Sequence, residues 1–233
     1  MLLNPYASSS RGNLYAVDDG QTRILLECGL PLPKMQTRLP HKFGEYSGCL
    51  VTHEHRDHSR CVEALLLRGV DVYMTDGTAT ALLLEPSIPT LHTVRYGESF
   101  RIGTLRIKPF KTVHDCAEPC GYLIHSDATG ELLAFATDTA VLKYRFRGLT
   151  EIAVECNYSA EILAASQAPK VVRERSARTH MALETLCCWL RASDLERVTR
   201  IWLCHLSANH GSANGFRSVV HNLTGIDTVV CDA

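Results

Sequence analysis

No stretch of this chain is apolar for long enough to cross a bilayer as a helix. Neither sign of charge dominates: 24 lysines and arginines stand against 25 aspartates and glutamates, for a net charge of −1. A chain so balanced exerts no overall pull on polyanions, so a nucleic acid has to be met by a local patch. The opening Met1-Leu2-Leu3-Asn4-Pro5-Tyr6 lacks the basic start and long apolar core of a secretory leader. The ten cysteines are scattered rather than set at disulfide-framework spacings. Together these predict free thiols in a reducing cytoplasm. Repeats, linkers and low-complexity tracts are also missing. At 233 residues, 45% hydrophobic and 21% charged, the chain reads as one globular domain spanning residues 1–233.

What the chain does have is a concentration of metal-capable side chains. His53, His55, Asp57 and His58 fall within Val51-Thr52-His53-Glu54-His55-Arg56-Asp57-His58-Ser59, directly behind the apolar run Gly48-Cys49-Leu50-Val51. Side chains alternate along a strand, so a loop leaving a strand end can turn His53 and His55 toward one point and Asp57 and His58 toward a second. Imidazole nitrogens with carboxylate oxygens suit zinc, manganese or iron rather than calcium. A merely histidine-rich polar loop is the competing explanation, and the H-x-H-x-D-H spacing behind a strand disfavours it. His114, Asp138 and His205 follow later apolar runs in the same way. Taken singly, each histidine reads as well as a satisfied core residue, and Asp138 as a helix N-cap.

The remaining pattern predicts strands at 14–17 and 22–28 joined by a turn at Asp18-Asp19-Gly20, and a loop or short broken helix over 29–45. Ser59 is expected to cap a helix running to about Arg68. A strand at 70–74, a helix over 77–84 and two strands around Gly103-Thr104 follow. Strands at 121–124 and 132–136 read as a hairpin, the second delivering Asp138. Further on come a strand at 152–156, helices at 160–166 and 181–192, a strand at 200–204 leading to His205, a helix over 213–223 and a strand at 228–230. With no long parallel series of strands and helices, a two-sheet sandwich flanked by helices fits this order.

The histidine loop, Thr112-Val113-His114-Asp115, Ala136-Thr137-Asp138-Thr139, Leu203-Cys204-His205-Leu206-Ser207 and the opening Ser8-Ser9-Ser10-Arg11-Gly12-Asn13 together resemble the metallo-β-lactamase fold superfamily. The likeness spans nearly the whole chain. It is nearest to the compact YycJ/WalJ-type group, described as DNA-exonuclease-like, with features shared by tRNase Z and PhnP-type phosphodiesterases. The resemblance implies an α/β (α+β) architecture, the four-layer αββα sandwich. It implies two divalent metal ions, zinc with manganese or iron as alternatives. His53, His55 and His114 would hold one, Asp57, His58 and His205 the other, and Asp138 would bridge them. Two cations about 4 Å apart need such an anionic bridge, and a water between them becomes hydroxide near neutral pH and serves as nucleophile. Asp57 is expected to orient that nucleophile as well as bind metal, and His180 to assist at the leaving group. The YycJ-like group usually reads Gly-His-Leu-Ser where this chain has Thr179-His180-Met181-Ala182.

Substrate contacts are less sharply marked. Arg175 and Arg178, with Lys170 and Arg173, present cations ahead of His180, and an ordinary solvated face reads almost as well. Asn157 and Tyr158 follow a strand end and suit either a substrate contact or turn chemistry. Ser9, Arg11 and Asn13 are weaker candidates of the same kind. Cys116 and Cys120 lack the second pair a zinc finger needs and read as free thiols. Only 66 residues separate Asp138 from His205 and 23 separate His114 from Asp138. By the same likeness these intervals exclude the large insert of β-CASP nucleases and the usual tRNase Z arm. Aspartate at 138, where the best-known β-lactamases have cysteine, points away from antibiotic hydrolysis. The function so implied is a dinuclear metal-dependent phosphodiesterase acting on nucleic acid or cyclic nucleotides, with no membrane partner and with homo-oligomerisation open. A thioester or lactone hydrolase of the same fold is one alternative. A non-catalytic, metal-stabilised nucleotide-binding module is the other.

Overall fold

The computed structural model describes residues 1–231, which divide into two compact units: Met1–Lys111 with Cys116–Glu131, and Thr112–Asp115 with Leu132–Cys231. The strands belong to two sheets, β1 to β6 in one and β7 to β13 in the other.

The first unit opens with β1 (Leu2–Ser9), β2 (Gly12–Asp18) and β3 (Arg23–Leu26), paired antiparallel in that order. β1 was not legible in the sequence. Pro5 interrupts it, the register shifts between Pro5 and Ala7, and such a proline is tolerated at a sheet edge. From β3 the sheet turns parallel through β4 (Cys49–Leu50), β5 (Val72–Thr75) and β6 (Leu91–Val94). Parallel neighbours need crossovers. These are α1 (Leu32–Arg38) with a 3-10 turn at Phe43–Glu45, then α2 (Arg56–Ser59) and α3 (Val62–Leu66), then α4 (Asp76–Ala81). Leu14, Leu25, Met35, Cys49, Leu65 and Val72 lie in one buried apolar cluster, which fixes the end of β4 from which the histidine loop leaves. The meander β7 (Phe100–Ile102), β8 (Leu105–Lys111) and β9 (Cys120–Ser126) completes this unit, antiparallel throughout.

Two helix boundaries depart from expectation. Ser59 closes α2 rather than capping a long helix. Its hydroxyl donates back to the carbonyls of Glu54 (2.8 Å) and His55 (3.1 Å), and the chain breaks at Arg60-Cys61, where the Cys61 N–H donates to the Cys28 carbonyl. α4 starts at Asp76, capped by Thr75, and ends early at Ala81, with Leu83 just beyond at a φ of 57°.

In the second unit β10 (Leu132–Ala136), β11 (Glu151–Glu155), β12 (Arg200–Cys204) and β13 (Asp227–Val230) run parallel, in the spatial order β13-β12-β11-β10. This corrects the expectation of no long parallel series. The strands are five residues or fewer, and β11 is buried along its whole length, so they lack the alternation that marks a half-exposed strand. α5 (Ala160–Ala165), α6 (Lys170–Thr179) and α7 (Leu183–Arg191) lie between β11 and β12, and α8 (Ala213–Thr224) between β12 and β13. α6 went unrecognised because its residues carry no buried stripe; Val171 and Val172 face solvent. α7 begins two residues later than its pattern suggests. Met181 is held extended, its N–H on Glu155 and its carbonyl accepting from the Asn157 N–H. Among the described residues no helix is long and apolar enough to cross a membrane.

Candidate metal centre

The first unit gathers His53, His55, Asp57 and His58. The rings of His53 and His55 lie 4.7 Å apart and those of His53 and His58 4.2 Å apart, centroid to centroid. Asp57 Oδ2 is 3.4 Å from His58 Nε2. Behind them stands Glu27, wholly buried. The Thr52 hydroxyl donates to Glu27 Oε1 at 2.6 Å and accepts from His53 Nδ1 at 2.9 Å. That relay puts the His53 proton on Nδ1 and turns the Nε2 lone pair outward, the arrangement by which an outer carboxylate orients a metal-binding imidazole. Glu27 Oε1 also lies 3.3 Å from His58 Nδ1. Asn13 reaches the same loop, its amide donating to the Asp57 carbonyl (3.2 Å) and lying 3.1 Å from His58 Nε2.

The second unit gathers His114, Asp138, His180 and His205. His114 Nδ1 donates to the Thr179 carbonyl at 2.7 Å, which leaves Nε2 as the lone-pair nitrogen, 3.5 Å from Asp138 Oδ2. Asp138 Oδ1 is 3.5 Å from His205 Nδ1. Both Asp138 and His205 sit at positive φ, 39° and 52°, Asp138 two residues past the end of β10 and His205 directly past that of β12. A non-glycine residue held there costs on the order of 1 kcal/mol and persists only where its surroundings fix it. For His205 that fixing group is Asn157, whose amide donates to the His205 carbonyl at 2.8 Å.

Glu155, the last residue of β11, is the centre of this group and was missed from the sequence. It is fully buried. Its Oε1 accepts from His180 Nδ1 at 2.6 Å and lies 3.4 Å from His205 Nδ1, while Oε2 accepts from the N–H groups of Thr139 (2.7 Å) and Met181 (3.1 Å). Ligand-capable atoms of Asp138, Glu155, His180 and His205 all lie within 4.8 Å of one another. Glu27 was missed likewise. Each is a carboxylate ending a wholly apolar run, Ile24-Leu25-Leu26-Glu27 and Ile152-Ala153-Val154-Glu155. An unexplained charge at the end of a buried strand was the signal available.

The electrostatics follow from this packing. Burial pushes the His114 pKa down, partly offset by Asp138, which keeps the imidazole neutral and able to bind a cation. Burial works against charge on His180 too, but the Glu155 carboxylate outweighs it, and the His180 pKa is raised. Burial opposes ionisation of Glu155; His180 and its hydrogen bonds win, holding the carboxyl below its ordinary value. Imidazoles and buried carboxylates, with rings already oriented by outer hydrogen bonds, are a donor set that fits divalent cations.

The remaining candidates divide between those that touch these groups and those that do not. Asn157 is buried against His205. Tyr158 packs with Leu163 and Ala182 and pairs with Ala182 in a single parallel bridge. Arg175 is engaged with Asp115 through two hydrogen bonds, 2.8 and 3.2 Å, and Arg178 lies exposed near the end of α6. Of the opening segment, Asn13 reaches the histidine loop, while the Ser9 hydroxyl accepts from the Arg11 N–H. Cys120 is buried and Cys116 partly so, and none of the ten cysteines is in a disulfide among the described residues.

Residues 22–205 match the family described as the beta-lactamase superfamily domain, and the chain belongs to that family. Its class is that of a metal-dependent hydrolase of the metallo-β-lactamase fold. Among curated proteins it is similar to exodeoxyribonuclease YycJ of Bacillus anthracis, 28% identical over 217 residues, covering 88% of this chain and 81% of that one. It is also similar to exodeoxyribonuclease WalJ of Streptococcus pneumoniae, 26% identical over 230 residues, covering 92% of this chain and 83% of that one. Among solved structures, the metallo-β-lactamase fold protein YhfI from Bacillus subtilis superposes with a TM-score of 0.74 at 14% identity, covering 98% of this chain and 95% of that one. That likeness establishes the fold.

Proposed function

We propose that this protein is a metal-dependent phosphodiesterase acting on nucleic acid or nucleotides. The observation that carries the proposal is the His180–Glu155 pair, 2.6 Å apart and packed with Asp138 and His205. Cleaving a phosphodiester expels an alkoxide, which needs a proton as it leaves, whereas the thiolate of a thioester departs without one. Glu155 holds His180 Nδ1, so the ring's other nitrogen, Nε2, is the atom that carries and releases that proton. The names of the YycJ and WalJ relatives, exodeoxyribonucleases, support a nucleic-acid strand as the substrate.

In this reading His53, His55 and His114 would hold one divalent ion and Asp57, His58 and His205 a second, with the Asp138 carboxylate available to both. Zinc suits the imidazole-rich set best, with manganese or iron as alternatives. Bound ions supply Lewis acidity and a water acidified to near neutrality. The protein's own part is to orient and to move protons. Thr52 and Thr179 fix the rings of His53 and His114, the Asp57 carboxylate aligns the attacking water, and His180 protonates the leaving oxygen. Residues 1–233 act as one functional domain, since the matched span of 22–205 includes parts of both compact units. Ten cysteines, none in a disulfide among the described residues, favour the reducing cytoplasm.

The test is hydrolysis of bis(p-nitrophenyl) phosphate by metal-quantified protein, wild type beside His114→Ala. Cleavage with about two metals per chain, lost at least about a hundredfold in the variant, is the expected result. No cleavage at full metal occupancy would turn the assignment toward a carbonyl ester substrate or a binding module.

A further inference from the structure

Between α5 and α6 the second unit carries an open groove of about 400 Å³, lined by Tyr158, Leu163, Ala164 and Ala177 with Lys170 and Arg173 along one side. The metal-binding groups do not include these residues. The wall is chiefly apolar, and cations outnumber anions on the helix beside it: α6 carries Lys170, Arg173, Arg175 and Arg178 against Glu174, which also lines the groove and pairs with Lys170. Two of those cations are already engaged, Lys170 with Glu174 at 3.6 Å and Arg175 with Asp115. Arg173 is different. Its Nη1 donates a long 3.4 Å hydrogen bond to the Ala164 carbonyl, while its Nε is buried and has no partner among the described residues. A buried guanidinium N–H without an acceptor is costly, and an anionic or carbonyl oxygen in the groove would relieve it.

We propose that this groove is a subsite for one nucleotide of a single strand, its base laid against Tyr158, Leu163 and Ala177 and its phosphate taken by Arg173. The inference rests on the phosphodiesterase reading above and adds where a neighbouring nucleotide is held. Three features favour that occupant. The volume suits a small-molecule-sized body. A flat apolar base matches an aromatic and aliphatic wall, the sequence-tolerant way single strands are bound. The free donor is cationic, and the uncleaved phosphates of a strand are anionic. The groove is also connected to the chemistry. α6 ends at Thr179, whose carbonyl holds His114, and the next residue is His180. Arg173 precedes His180 by seven residues, roughly 10 Å along a helix axis. A nucleotide in the groove therefore lies beside the phosphodiester that His180 serves.

Two variants test this: Arg173→Gln, which removes the charge, and Ala177→Trp, which fills the groove from an exposed position of α6. Binding of a fluorescein-labelled single-stranded oligonucleotide is measured in chelator, and cleavage of the same strand and of bis(p-nitrophenyl) phosphate with metal restored. Each variant should weaken oligonucleotide binding about tenfold and raise its KM to match. Hydrolysis of bis(p-nitrophenyl) phosphate, which reaches the metals without a second nucleotide, should stay within about twofold of wild type. Wild-type affinity for the oligonucleotide in both variants overturns the subsite. A wild-type dimer that Ala177→Trp dissociates, with oligonucleotide binding unchanged, overturns it in favour of a second copy of this chain. Failure of the wild type to cleave either substrate defeats the phosphodiesterase reading instead, while the chelator titration still reports on the groove.

Discussion

At the scale of single residues, the second unit spends backbone strain where it needs side chains aimed. Asp138 and His205 each leave a parallel strand with φ in the left-handed region, so their side chains turn back toward Glu155 and His180 instead of continuing the alternation of the strand. Glu155 then sets the proton on His180. A histidine whose pKa is raised by a partner stays protonated above its ordinary value near 6.5 and loses that proton only as the pH climbs through the raised value. Glu155→Gln removes the partner charge. Its expected effect is a kcat on thymidylyl-thymidine lowered by about 10²-fold, with the alkaline limb of the pH profile moved to lower pH. Cleavage of bis(p-nitrophenyl) phosphate, whose phenolate leaves unaided, should fall much less. Equal losses on both substrates would mean that Glu155 acts only on the integrity of the site. In the first unit the decisive small residue is Gly29. A Cβ there would come within 1.6 Å of the Asp57 carbonyl oxygen, backbone rather than a side chain that could swing away. Gly29→Ala should therefore displace the histidine loop, and calorimetric titration should show metal affinity falling at least about tenfold.

At the scale of elements, strand ends do the positioning and hydrogen-bonded turns keep the strands in place. The β2–β3 turn is the clearest case. Asp19 Oδ1 accepts from the N–H groups of Gln21 (3.0 Å) and Thr22 (2.7 Å), and Oδ2 from the hydroxyls of Thr104 (2.6 Å) and Ser126 (2.7 Å). One carboxylate thereby ties β2 and β3 to the β7–β8 turn and the end of β9. Burial opposes its charge, but these hydrogen bonds outweigh it and hold its pKa at about 2. A depressed carboxyl stabilises the fold fully above the unfolded value near 4 and loses that contribution as the pH falls through about 2. Asp19→Ala should cost about 2 kcal/mol in urea denaturation at pH 7, and the gap from wild type should close on acidification across that window. A gap that persists unchanged to pH 2 would show that the carboxylate's charge contributes nothing.

At the scale of the whole molecule, a family span of residues 22–205 and two compact units both rest on the same economy: short strands buried on their faces, with polar chemistry confined to their ends. Buried carboxylates such as Glu27 and Glu155, packed with histidines, are an expensive interior without a cation to bind. Metal that binds the native state and not the unfolded chain stabilises it by about 3 kcal/mol at a hundredfold excess over Kd. Chelation of purified holoprotein should thus lower the thermal midpoint by several degrees, and zinc or manganese should restore it. A midpoint indifferent to chelator would sink the metal-binding reading itself.

The sequence by itself determined which residues could meet a metal. His53, His55, Asp57 and His58 are readable from their spacing, and His114, Asp138 and His205 as what the family resemblance implies for those positions. Those features are local, and local pattern survives in a string of letters. It also located most strands and the helices α7 and α8, whose apolar faces repeat at the helical period. Only the tertiary structure brought Glu155 to His180 and His205, because the partners lie 25 and 50 positions downstream. Only it showed that Asn157 grips His205 and that the Thr179 carbonyl fixes the His114 ring, since a backbone acceptor leaves no trace in residue type. The parallel run from β10 to β13 was hidden for a related reason. A strand buried on both faces has no polar alternation to read, so its neighbours are decided by packing and not by its own sequence.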